Sequence, residues 1–153
     1  STGRVMLRGS IDLLDVNVWL AFSVEGHPHH KAALKAWGDL KRPTFCRITH
    51  LGWMRLLCNP QVMGKAVLEP QAAWEEDEKI LAGGSVHFVE EPSSIHPRLK
   101  TMTRGARAKR DFWTDAYLAA FAESAGMRMV TFDAGFSRFK DLDLLVLNPS
   151  IIN

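Results

Sequence analysis

The chain has 153 residues, enough for one domain with a sizeable core, and its 46% apolar and 24% charged residues are ordinary for a globular protein. The formal net charge of +2 is too small by itself to imply a nucleic-acid partner, and no apolar run approaches the roughly 18 residues of a membrane span, so no membrane partner is expected. The start of the chain lacks the apolar core of a secretory signal; residues 1–9 read as a disordered leader or tag and residues 10–153 as a single domain. Cys46 and Cys58 show neither zinc spacing nor a disulfide framework, which fits reduced thiols in a cytoplasmic protein.

In chain order, Ile11 to Leu14 form a short apolar strand that ends at Asp15. A short helix over 17–24 follows, with Asn17 as its N-cap, and Glu25-Gly26-His27-Pro28 breaks the pattern. Residues 29–40 carry Ala33, Leu34, Trp37 and Leu40 at helical spacing. His27, His29 and His30 have no Cys or acidic partner spaced to complete a metal site, so they read as surface or capping residues. Pro43 to Cys46 make a second strand, and a helix from Thr49 runs through Cys58 until Asn59-Pro60 stops it.

Residues 64–69 are a connection, and Pro70 opens a helix to about Leu81. Val86 to Val89 form a third strand, and a helix passes through Leu99 and Met102. Gly105 to Arg110 reads as a mobile basic loop, since Arg104, Arg107, Lys109 and Arg110 crowd together there. Asp111 to Ala125, closed by Gly126, is apolar on almost every face and is predicted to be buried, with core packing favoured for Trp113 over stacking on a base. Residues 127–132 give a fourth strand, 133–139 a turn or short helix, and 142–147 a fifth strand. Strands alternating with helices predict a three-layer α/β/α domain around a mostly parallel sheet of four to five strands.

Asp15 and Asp133 each stand just after a strand, where open α/β sheets place their ligand crevice. Each also suits a helix cap or turn. Asp115 lies in the first turn of the apolar helix; the helix dipole welcomes it there, yet a carboxylate against a core needs a partner to stay ionised. A divalent cation held by Asp15, Asp115 and Asp133 would supply that partner, and hard oxygen ligands select Mg²⁺ or Mn²⁺. Such a centre suits phosphodiester hydrolysis by a metal-activated water.

These residues also carry a family likeness. Asp15-Val16-Asn17-Val18-Trp19-Leu20-Ala21 resembles the opening motif of PIN domains, Trp113 to Ala122 their third acidic motif, and Thr131 to Phe136 their fourth. Within PIN domains the chain is most similar to VapC toxins of bacterial toxin–antitoxin pairs, with Thr49 to Pro60 matching a version frequent among them. The likeness implies a magnesium-dependent endoribonuclease acting on structured RNA such as tRNA or rRNA, a homodimer, and a cognate antitoxin whose tail enters the acidic groove. It assigns Asp15, Asp115 and Asp133 to the metal, Asn17 to steadying the first of them, and Thr114 to assisting as the hydroxyl next to Asp115.

One position departs from the pattern. The family's second acid is His50 here, and an imidazole can ligate the metal, bind its water, shuttle a proton, or stand in the groove as a spectator. The change removes a negative charge and lowers cation affinity, which keeps a catalytically weakened PIN-fold binding module open as the alternative. Arg55 can reach phosphate or pair with an acid in the core, and Lys109 and Arg110 can offset the repulsion between an acidic site and an RNA backbone. A small-molecule phosphatase with an Asp after its first strand normally needs a second Asp two residues on, where this chain has Asn17.

Overall fold

A computed structural model describes residues 11–148; the proposed leader at 1–9 lies outside the described residues. Five short strands form the centre: β1 (Asp12–Leu14), β2 (Pro43–Phe45), β3 (His87–Phe88), β4 (Arg128–Thr131) and β5 (Leu144–Val146). They align in the order β3-β2-β1-β4-β5, and each neighbouring pair is parallel. Around them lie α1 (Val16–Ser23), α2 (His30–Trp37), α3 (Arg47–Leu57), α4 (Pro60–Met63), α5 (Pro70–Ala82), α6 (Ile95–Thr103) and α7 (Phe112–Ala125). Short 3₁₀ turns cover Gly64–Ala66 and Ala134–Arg138.

Successive strand residues point to opposite faces, and this splits the core in two. Leu13 and Met129 pack with Ala116, Ala120 and Phe121 of α7 and with Ile95 of α6. Leu14 and Val130 point the other way, towards Trp19, Phe45, Trp53 and Leu57. There Trp19 stacks on Phe45 at 3.7 Å between ring centroids, and Trp53 Nε1 donates to Ser23 Oγ at 2.8 Å, tying α3 to α1. Burial on both faces is confined to the central β1, β2 and most of β4, while the edge strand β3 is exposed.

At the amino end of the sheet, fully buried Asp12 accepts two bonds from Arg128, at 2.8 and 2.9 Å, and one from the Lys41 backbone at 2.7 Å. The opposite, carboxyl end of the sheet is where the candidate site lies.

Three expectations are corrected. Asp15, not Asn17, caps α1: its Oδ1 accepts from the Val16 amide at 2.8 Å, and Asn17 falls inside the first turn, free to reach across the sheet. Pro60 does not merely stop α3; with its fixed φ and missing N–H it opens the one-turn α4, capped by Asn59 Oδ1. Trp113 is 61% exposed instead of core-packed. Burial of α7 is continuous only from Leu118 to Ala122, because its first turn is flanked by the exposed 104–111 segment. The helix ends at Gly126, whose φ of 67° is the left-handed cap that glycine takes without a Cβ clash.

Candidate active site

β1 and β4 are neighbours at the point where the strand order turns from descending to ascending, so their carboxyl ends open one crevice. Asp15 follows β1, and its backbone N–H still donates to Val130 O at 2.9 Å, in register with β4. Beyond β4, Asp133 turns the chain into the 3₁₀ segment, its Oδ1 accepting from the Gly135 amide at 2.8 Å. Asp115 comes from the first turn of α7 on the other side of the sheet.

One hydroxyl organises the first two acids. Thr131, fully buried at the end of β4, donates from Oγ1 to Asp15 Oδ2 at 2.7 Å. The same oxygen accepts from the Asp133 backbone at 3.0 Å and from Asn17 Nδ2 at 3.3 Å. Asn17 Oδ1 in turn accepts from the Phe132 backbone at 3.3 Å. Asn17 therefore steadies Asp15 through Thr131, bridging α1 to the β4 terminus without touching the carboxylate itself.

The three acids share one electrostatic field. Burial pushes the Asp15 carboxyl up to about 6, and the charges of Asp115 and Asp133 add to that rise against the opposing bonds from Thr131 and Val16. Asp115 is also raised, first by burial and further by Asp133 and Asp111, while Arg138 pulls it down. Arg138 Nη2 donates to Asp115 Oδ2 at 2.9 Å, its Nη1 donates to Gly135 O at 2.6 Å, and its guanidinium lies 4.6 Å from the Phe139 ring centre. A Cβ at Gly135 would meet Asp133 Oδ1 at 2.9 Å and Arg138 Nη1 at 3.1 Å, so this glycine lets an acid and a base close in from both sides.

The donor set is all carboxylate oxygen, the chemistry of a hard divalent cation, and such a cation would offset the burial that chiefly raises Asp15 and the smaller repulsion from Asp115 and Asp133. Among the described residues, however, no three His, Cys, Asp or Glu side chains are gathered closely enough to hold an ion. Arg138 supplies the positive charge beside Asp115 instead. The residues thus fit a hard cation in kind, with the Asp115 carboxylate already occupied by a guanidinium.

The remaining predicted residues divide. Thr114 is exposed beside Asp115, and Lys109 and Arg110 are exposed along a cavity of about 570 Å³ that Asp115 and Arg138 also line. Arg55 is exposed on α3 and makes no bond to the three acids among the described residues.

His50 is a correction: it does not face the crevice. It is 3% exposed, its Nε2 lies 2.7 Å from Oδ1 of Asp77 on α5, and Arg47 Nη1 lies 3.3 Å from its Nδ1. Arg47 can only donate, so Nδ1 accepts and the ring hydrogen sits on Nε2, facing the carboxylate. Both nitrogens are committed, which leaves no lone pair for a metal. Phe45, Trp53, Trp74 and Phe88 enclose the ring.

Sequence reasoning missed Thr131, Arg138 and Asp77 as partners. Thr131 stood two residues before Asp133 in the quoted motif, and a hydroxyl at a strand end was the available signal. Nothing in the spacing marked Arg138 or Asp77, whose partners are 23 and 27 residues away.

Comparison with known proteins agrees with this architecture. The PIN domain family profile matches residues 13–142. Ribonuclease VapC41 of Mycobacterium tuberculosis is 33% identical over 148 residues, covering 88% of this chain and 97% of the relative. Among solved structures, VapBC2 from Rickettsia felis bound to a DNA fragment from its promoter superposes with a TM-score of 0.64 at 11% identity, covering 90% of this chain and 99% of that one. Mycobacterium tuberculosis VapC20, a sarcin-ricin-loop-cleaving toxin, superposes with a TM-score of 0.63 at 16% identity, with the same coverage of 90% and 99%.

Proposed function

The chain belongs to the PIN-domain family, and from that premise we propose that it is a metal-dependent endoribonuclease, the toxin of a toxin–antitoxin pair, cleaving structured RNA such as tRNA or rRNA. The observation that carries this reading is the shared field of Asp15, Asp115 and Asp133, delivered to one sheet edge by β1, α7 and the β4 terminus. Its RNA substrate puts it in the cytoplasm, and no helix among the described residues is long and apolar enough to cross a membrane. A homodimer and a cognate antitoxin are the proposed partners; several solved neighbours are toxin–antitoxin complexes, including those from Rickettsia felis and Salmonella typhimurium.

Asp15, Asp115 and Asp133 would hold Mg²⁺ or Mn²⁺. An ion held there would supply Lewis-acid polarisation of a phosphoryl oxygen and a more acidic water. Thr131 holds one oxygen of Asp15 and the Val16 amide holds the other, which fixes the plane of that carboxylate. Asn17 locks the Thr131 hydroxyl and the Phe132 amide, so the β1 and β4 ends keep their spacing as substrate arrives. Lys109 and Arg110 offset the acids' repulsion of the RNA backbone, and Thr114 offers a hydroxyl beside Asp115.

Asp15→Asn and Asp115→Asn are each expected to abolish Mg²⁺-dependent RNA cleavage and growth inhibition, measured with purified protein and by induction in cells. Full activity in either variant would place the chemistry elsewhere. A catalytically weakened binding module is the second reading, favoured by His50, engaged with Asp77, where the family carries an acid. Isothermal titration with Mn²⁺ separates the two: no heat at millimolar metal selects the binding module.

A further inference from the structure

The largest consequence of the fold outside the carboxylates is the cavity beside them. It lies between the α6 carboxyl end, the 104–111 segment and the Ala134–Arg138 turn, and it shares Asp115, Gly135 and Arg138 with the site. Its volume of about 570 Å³ falls within the range of small-molecule pockets. Two chemistries meet in it. Met102, Phe112 and Phe139 give an apolar wall, with both Phe residues themselves buried and so held in place. Arg107, Lys109 and Arg110 give a basic rim, and among the described residues none of the three side chains forms an ion pair or hydrogen bond. Arg138, joining the two halves, carries its charge on Asp115 and its flat face over Phe139. Asp111 is the acidic group on the rim besides Asp115.

From this juxtaposition we infer that the cavity is a nucleotide subsite, receiving one unstacked nucleotide of the RNA next to the bond that is cut. A flat apolar ring with a phosphate attached is the ligand that matches an aromatic wall ending in unpaired cations. Bases read in single-stranded or splayed RNA are bound in this way, by stacking and edge contacts, while guanidinium groups take the phosphate. Arg138 is a positioning residue here: with Nη2 on Asp115 and Nη1 on Gly135 O, it holds the carboxylate and the Phe139 ring in place at the inner end of the cavity and leaves the phosphate to the rim cations. The basic rim also explains why the loop before α7 is exposed and rich in arginine: its cations face a ligand, not the protein.

The inference rests on the ribonuclease reading, so its test is run on the Asp15→Asn protein, where binding is read without cleavage. The 5′-monophosphates of adenosine, guanosine, cytidine and uridine are titrated separately, with ribose 5-phosphate as the probe lacking a base, while the methyl resonances of Met102 and Ala106 are followed. At least one nucleotide is expected to shift both methyls and to bind about tenfold or more tightly than ribose 5-phosphate. It should also displace a fluorescent RNA oligonucleotide in an anisotropy competition. Ala106→Trp, which fills the cavity from an exposed position, should remove nucleotide binding while the methyl signals of the buried core stay in place.

Equal binding of nucleotide and ribose 5-phosphate, or retention of binding in Ala106→Trp, would overturn the subsite. So would nucleotide binding that leaves the RNA in place, because the cavity would then serve a free effector. Loss of cleavage in Asp15→Asn is read separately in the wild-type comparison, so a failed nuclease reading and a failed subsite give different results. A protected cavity only in the presence of an antitoxin peptide, with no nucleotide effect, would assign it to protein recognition and also overturn the inference.

Discussion

Thr131 shows how much of this site rests on one side chain. Its hydroxyl makes three bonds inside a fully buried environment, to Asp15, Asn17 and the Asp133 amide. Thr131→Val keeps the shape and leaves two donors without an acceptor, an effect of about 1–3 kcal/mol on stability. Urea denaturation should show that loss, and Thr131→Ser should recover most of it. Cleavage should fall in the Val variant more than stability alone explains, because Asp15 loses its fixed orientation.

Asp15 itself makes a prediction of opposite sign. Its folded carboxyl titrates at about 6 against an ordinary value of 3.8, so between those pH values the folded protein holds a proton that the unfolded chain releases. Stability from this group is therefore complete below about pH 4 and is lost as the pH rises through 6. Without divalent metal, Asp15→Asn should be more stable than the wild type at pH 7.5 by about 2 kcal/mol. The gap should close as the pH is lowered to 4. Thermal melts across that range check both the sign and the window; a variant less stable at pH 7.5 would contradict the burial argument.

At the scale of elements, His50 joins α3 to α5 by its bond to Asp77, while the Arg47 guanidinium meets His50 Nδ1 and lies 4.4 Å over the Phe88 ring. Both members are nearly inaccessible, 3% and 7% exposed, so removing the carboxylate leaves a buried N–H without an acceptor. Asp77→Ala is expected to cost about 1–3 kcal/mol, read by denaturant unfolding, whereas Asp77→Asn retains an acceptor and should lose less. Neither change alters the three aspartates. Metal affinity, measured by titration with Mn²⁺, should therefore stay within about twofold in Asp77→Asn if the α3–α5 pair is only structural.

At the scale of the whole molecule, a net charge of +2 hides a division between an acidic crevice and a basic rim. The formal total says little about RNA; the placement of Arg107, Lys109 and Arg110 beside Asp115 says more. Neutralising all three to Ala should weaken RNA binding uniformly across sequences. The slope of log affinity against log salt should also flatten by about 2, at roughly 0.7 per lost phosphate contact on a single strand. An unchanged slope in anisotropy titrations would move the RNA path away from this rim.

The sequence by itself determined what local chemistry determines. Period and punctuation were enough for the five strands and for the helices other than the one-turn α4, their alternation for the parallel sheet, and motif order for the family. That Asp15, Asp115 and Asp133 fall along one edge of the sheet was legible because strand ends and a helix start place side chains predictably there. Partners were not legible, because a hydrogen bond across more than a hundred residues leaves no trace in spacing: Thr131 with Asp15 is such a case. Tertiary structure alone decided that His50 turns inward to Asp77, that Trp113 stands in solvent, and that Arg138 occupies Asp115. Each of those outcomes depends on which surfaces meet when the layers close, and packing geometry, not local propensity, sets that.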